Sequence, residues 1–171
     1  MAAKPKPMYH NPDITIKSVI ICEHYADVSH MMRLLHENEY RLFDKTAQWA
    51  DIEANYMKHV VAMQKDCDGL CLMAMHGETP VGFIFGYLEE QDDSRIETYT
   101  GKQLYVSDGF VMPDYRHRGI YRQMNALLEQ HYTDMGVKRF LRFTHIRNTG
   151  MRSLLEADGY FVSRLLYEKW L

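Results

Sequence analysis

Apolar residues along this chain recur with two different periods, and the places where one gives way to the other predict its elements. Ile14 to Cys22 alternates with β-branched residues and reads as a first strand. From Asp27 the spacing turns helical, with Val28, Met31, Leu35 and Leu42 returning on one side and a break before Trp49. A second helix is predicted over Asp51 to Lys65, with Ile52, Tyr56, Val60 and Met63 on one face. Leu70 to Met75 and Val81 to Leu88 read as a hairpin around the turn His76-Gly77-Glu78-Thr79. The polar stretch from Glu89 to Thr100 reads as a solvated loop, and Leu104 to Met112 as a further strand ended by Pro113. Gly119 to Met135 is predicted as a helix with Ile120, Met124, Leu127, Leu128 and His131 along one stripe. Lys138 to Ile146 reads as a strand, Asn148 to Asp158 as a short helix stopped by Gly159, and Tyr160 to Leu171 as a long strand or hairpin.

The order β-αα-βββ-α-β-α-β argues for an α/β or α+β domain of three layers, with a mixed central sheet between helices. At 171 residues, with no internal repeat, the chain is expected to form one domain over 14–171. Residues 1–13 carry Pro5, Pro7 and Pro12 with little apolar content, and read as a flexible leader without the apolar core of a secretory signal. No apolar run approaches the length of a membrane span. The net charge of −3 and a pI near 6.3 give no general attraction to nucleic acid or anionic lipid, so neither is expected as a partner. The odd number of cysteines (Cys22, Cys67, Cys71) fits reduced thiols in a cytoplasmic protein. Nine scattered histidines form no one-turn pair on a predicted helix, so no metal is expected. The twelve methionines, Met31, Met32, Met57, Met63, Met73 and Met75 among them, read as core filling.

The chemistry concentrates at Val111-Met112-Pro113-Asp114-Tyr115-Arg116-His117-Arg118-Gly119-Ile120-Tyr121-Arg122. A strand ends at proline, a basic loop follows, and a glycine opens an amphipathic helix. Such a junction cradles anions, because free backbone N–H groups and the positive end of the helix dipole converge there. Arg116, Arg118 and Arg122 add charge, and Gly119 lets a phosphate approach the backbone. The loop lacks both the Walker pattern and the dinucleotide fingerprint, which ranks other nucleotides low as ligands.

In this segment the chain resembles the GNAT acetyltransferases, whose phosphate-binding signature is Gln/Arg-x-x-Gly-x-Gly/Ala after a strand ending in Val-x-Pro. Arg116, Gly119 and Val111-Met112-Pro113 match, whereas Tyr121 stands where glycine or alanine is usual. Downstream, Asn148, Leu154, Gly159 and Tyr160 match the family's Asn-x-x-Ala-x-x-Leu-Tyr-x-x-x-Gly-Phe, with Leu155 in place of its tyrosine. The resemblance covers Leu70 to Leu171 by motif and Ile14 to Lys65 by element order.

The resemblance implies a GNAT-type acyl-CoA N-acyltransferase fold and an N-acetyltransferase that uses acetyl-CoA, with direct attack by a neutral amine in a ternary complex. Pantetheine would lie in a gap between the strands Leu104–Met112 and Lys138–Ile146, against the backbone of Gly109, Phe110 and Val111. The loop from Arg116 through His117, Arg118, Gly119, Ile120 and Tyr121 to Arg122 would hold the pyrophosphate. Asn148 would bond the pantetheine arm, besides serving as a helix N-cap. An N–H near Phe110 or Val111 would polarise the thioester carbonyl.

Asp108 is the first candidate for base or substrate grip, because aspartate is disfavoured mid-strand and a buried charge needs a partner. Ser107-Asp108-Gly109-Phe110-Val111-Met112 is also similar to the corresponding stretch of polyamine acetyltransferases. His145, expected on the facing strand with a pKa suited to proton transfer, is the second. Glu89 and Glu90 could meet a cationic substrate or simply lie in a solvated loop. Leu155 cannot act as the general acid, which leaves Tyr160, Tyr121 or a water. The acceptor is expected to be a small-molecule or peptide amine. The alternative is a degenerate member that binds acyl-CoA as a sensor or partner module. Tyr160 to Leu171 would suit a homodimer, as in relatives that pair through terminal strands, or completion of the sheet.

Overall fold

A computed structural model of the chain describes residues 12–90 and 101–171. Nearly all of the expected leader and most of the expected 89–100 loop lie outside them. The elements run β1 (Ile14–Val19), α1 (Tyr25–Leu42), α2 (Trp49–Asp66), β2 (Leu70–His76), β3 (Thr79–Glu89), β4 (Gln103–Val111), a 3₁₀ turn (Pro113–Tyr115), α3 (Ile120–Asp134), β5 (Phe140–Arg142) and α4 (Thr149–Ala157). The strands lie across one sheet in chain order, antiparallel from β1 to β4, with β5 parallel to β4. That change of direction requires a crossover, and α3 supplies it.

The β2–β3 hairpin closes as its turn residues predict. His76 pairs with Thr79 across Gly77-Glu78, and Gly77 takes a left-handed φ of 59°. Helices α1 and α2 bury Val28, Met31, Met32, Met57 and Val60 against Phe83, Phe85 and Phe110 on one face of the sheet. Helix α3 buries Ile120, Met124, Leu128 and Tyr132 against Ile84, Leu104 and Val106 on the other. The mixed sheet between helices is the architecture expected. The α3 stripe differs in detail: Leu127 and His131 face outward, and Asn125 and Tyr132 are buried instead. Among the described residues no helix is long and apolar enough to cross a membrane.

Two expected strands are shorter or absent. The strand over Lys138 to Ile146 narrows to Phe140–Arg142, because its ladder with β4 stops at Val106↔Arg142, where β4 bulges. Tyr160 to Leu171 forms no strand. A strand needs a neighbour's backbone groups to pair with, and β5 offers only three residues at that edge.

Candidate active site

One extra residue in β4 sets up the site. Phe85 pairs with Asp108 while the next residue, Gly86, pairs with Val106, so Ser107 has no partner of its own. A bulge of this kind shifts the alternation of side chains by one place. Before it, Leu104 and Val106 face α3; after it, Val111 does, and Phe110 joins the core beneath α1 and α2. Asp108 is thereby delivered to the α1/α2 face, where it is 5% exposed.

Its carboxylate does not stand alone. Tyr56 Oη on α2 donates to Oδ1 at 2.8 Å, and Ser107 Oγ donates to Oδ2 at 2.6 Å. Burial pushes the Asp108 carboxyl above the usual carboxylate range, against the pull of those two hydroxyls and of His36 and His59. His36 on α1 packs between the rings of Trp49 and Tyr56, each with its centroid 4.9 Å away. Burial lowers its pKa below 6.5, with Asp108 opposing, so the imidazole is neutral at pH 7. Its Nδ1 is buried without a partner among the described residues. Tyr105 is pushed up to about 12, chiefly by burial, and stays a neutral phenol.

Beyond the bulge β4 and β5 diverge, and a cavity of about 240 Å³ opens between them. Asp108, His36, Glu39 and Tyr56 line one wall; Gly109, Tyr121, Arg142, Asn148 and Leu155 contribute to the remainder. Burial raises the Glu39 carboxyl as well, against His145 and Asn148. Asn148 caps α4, its side chain accepting from Met151 N at 3.2 Å, while also facing the cavity.

The ring of Tyr121 turns inward from the start of α3 to lie against Gly109, where an added Cβ would come within 2.8 Å of it. Its oxygen accepts from Arg142 Nη1 at 2.8 Å. Arg142 also donates to Asn125, and Asn125 and Tyr160 both donate to Glu129 at 2.7 Å. Five side chains thus bind α3, β5 and the segment that follows α4 into one polar network.

At the far end of β4 the basic loop turns through two left-handed residues, His117 at φ 61° and Gly119 at φ 76°. A positive φ is uncommon in a non-glycine residue and marks a loop held to a particular shape. Among the described residues no side chain caps the helix that follows, so the first-turn N–H groups of Ile120, Tyr121 and Arg122 keep their capacity for an acceptor. Arg116 braces the loop by donating from Nε to Val111 O at 3.0 Å, with its guanidinium over the Phe110 ring. Arg118 donates to Asp114 O at 2.9 Å, and Arg122 pairs with Asp158 at 3.3 Å. Phe110, Val111 and Ile120 bury their side chains in the cores and can offer a ligand only backbone.

The structure brings Asp108, Gly109, Tyr121 and Asn148 to one cavity and leaves His145 out of it. His145 lies past the end of β5 rather than on it, stacked on Phe43 at 5.2 Å, its Nδ1 accepting from Arg147 N. Glu89 ends β3 and accepts from Gln103 Nε2 at 3.3 Å, away from the cavity. His36 and Arg142 were not anticipated. The signals were present: His36 shares a helical stripe with Met32, Leu35 and Glu39, and Arg142 interrupts the apolar run Phe140-Leu141-Arg142-Phe143.

The comparisons with known proteins agree with this architecture. The model of the acetyltransferase (GNAT) family matches residues 29–160. Comparison with curated protein sequences gave no match. Among solved structures, the aminoglycoside N-acetyltransferase AAC(6')-Iy in complex with CoA superposes with a TM-score of 0.66 at 16% identity, over 92% of this chain and 94% of that one. An integron cassette protein from the V. cholerae mobile metagenome gives 0.65 at 21% identity, over 94% of each chain. The aminoglycoside 6'-N-acetyltransferase AAC(6')-Ih from Acinetobacter baumannii gives 0.65 at 16%, over 92% of this chain and 98% of its own. These identities establish the shared fold, and the family model, matching well over half of the chain, establishes kinship: the chain belongs to the GNAT family of acetyltransferases.

Proposed function

We propose that the chain transfers the acetyl group of acetyl-CoA to a primary amine by direct attack within a ternary complex. The observation that carries this reading is the placement of a buried carboxylate, Asp108, on the wall of a cavity that opens where β4 leaves β5. The uncapped start of α3 follows the same strand. Pantetheine enters the gap along Gly109, Phe110 and Val111, and the loop from Arg116 to Arg122 receives the pyrophosphate through its backbone N–H groups. Asn148 faces the arm from the α4 side.

The acceptor amine enters from the α1/α2 side as an ammonium. Asp108 and Glu39 meet its charge, and the rings of His36, Tyr56 and Tyr105 offer π faces of the kind that favour a cation. Asp108, its carboxyl raised by burial, takes the proton that makes the amine nucleophilic. Solved neighbours were crystallised with CoA, with a CoA–acetylneamine bisubstrate analogue and with sisomicin, which supports a polycationic amine as the class to test first. The exposed apolar residues Phe161, Leu166 and Trp170 support a homodimer formed through 161–171.

Release of free thiol from acetyl-CoA, followed across putrescine, spermidine, glucosamine, kanamycin, lysine and a peptide with a free N-terminus, tests the reading. Turnover with at least one amine, lost in Asp108→Asn, is the expected result. Tight binding of acetyl-CoA with no turnover on any amine would favour the sensor instead.

A further inference from the structure

Acetyl transfer leaves a thiolate that needs a proton, and Leu155 occupies the place where relatives carry a tyrosine. Leu155 lines the cavity, and its aliphatic side chain has no proton to give. A phenol reaches the same cavity from another element. We propose that Tyr121 is the proton donor to the departing thiolate, held in place by Arg142; this rests on the acetyl-transfer reading above.

Three features of the geometry support the assignment. First, Tyr121 stands where a small residue would suffice for the phosphate loop, yet its ring runs inward to the divergence of β4 and β5. Its oxygen would sit 3.0 Å from a Cβ placed on Gly109, the residue after Asp108. Second, Arg142 Nη1 bonds that oxygen at 2.8 Å, and a guanidinium can only donate. The contact therefore uses a lone pair of the phenol and leaves its proton available to the cavity. Third, the cation beside the phenol stabilises the phenolate that forms when the proton leaves. Burial raises the Tyr121 pKa while Arg142 draws it back, so the group is protonated before the reaction and steadied after it. The anchoring of Arg142 through Asn125 to Glu129 fixes the donor's position.

Asp108 passes the ammonium proton to solvent before attack; the neutral amine nitrogen then bonds to the thioester carbon and gives its second proton to Asp108, and the C–S bond breaks with its electron pair passing to sulfur. Sulfur takes the phenolic proton of Tyr121, so the products are an amide and a neutral thiol. Solvent then carries the proton from Asp108 back to the phenolate.

Tyr121→Phe keeps the ring against Gly109 and removes only the oxygen. With the best amine of the panel, kcat is expected to fall about 100-fold, the scale of one general acid, with little change in KM for acetyl-CoA. Replacing Tyr121 with 3,5-difluorotyrosine, nearly the same size but a stronger acid, is expected to restore activity. It should also move the alkaline fall of kcat to lower pH. The difluorotyrosine protein carries the test by itself if Tyr121→Phe does not fold. A Tyr121→Phe enzyme within about threefold of the wild-type kcat, or a difluorotyrosine enzyme with the wild-type pH profile, would overturn the assignment. Wild-type protein that acetylates no amine would instead sink the acetyl-transfer reading itself.

Discussion

Asp108, the proposed base, is buried at a cost to stability. Held at 5% exposure, it keeps its proton to higher pH in the folded chain than in the unfolded one, where a carboxyl titrates near ~3.9. The folded state therefore loses stability as pH rises from that value through the raised pKa, and the loss is complete above it. Asp108→Asn removes the charge that burial disfavours. We expect its thermal midpoint at pH 7 to exceed the wild type's, by about 2–4 °C for each kcal/mol relieved, and the difference to vanish below about pH 4. The same variant should lose most of its acetyl transfer, so calorimetric melting and turnover move in opposite directions. Asp108 was legible in the sequence because aspartate is out of place in mid-strand. His36 was not, because a histidine on an apolar helical stripe reads as core until the neighbouring helix shows what it faces. His145 was misplaced for a related reason: β5 ends at Arg142, and the residues beyond it follow a loop.

At the scale of elements, two local devices set the geometry. Deleting Ser107 removes the unpaired residue of the β3–β4 bulge and should restore regular alternation. Asp108 then stays opposite Phe85 on the α1/α2 face, beside Tyr56, but loses the hydroxyl that Ser107 donates to Oδ2. The expected outcome is a protein folded by circular dichroism whose acetyl transfer is lowered but not abolished. The second device is the Asn148 cap of α4; Asn148→Ala is expected to lower stability by about 1 kcal/mol in urea unfolding. The hairpin turn at Gly77 and the α3 start at Gly119 could be read directly, since each depends on a residue type that its backbone conformation favours. The bulge could not, because nothing in Val106-Ser107-Asp108 says which residue its partner strand will skip.

Across the whole molecule, one sheet serves two cores and opens at the β4–β5 edge, where the cavity lies. Element order and the alternation of periods were enough to place helices on both faces. They were not enough for the tail, because an apolar run identifies a strand only when a pairing partner exists. Phe161, Leu166 and Trp170, 83%, 86% and 62% exposed, are expected to be covered by a second copy of the chain. Sedimentation should then report a dimer, and truncation after Tyr160 a monomer. The proposed seat of the acetyl-CoA pyrophosphate, the loop opening α3, depends on neither result. Calorimetric titration of acetyl-CoA into wild-type protein and Gly119→Glu tests it most directly. Saturable binding by the wild type is expected, and none by the variant, whose carboxylate would meet the phosphates at a left-handed φ of 76°. Equal binding by both proteins, or none by the wild type, would contradict it.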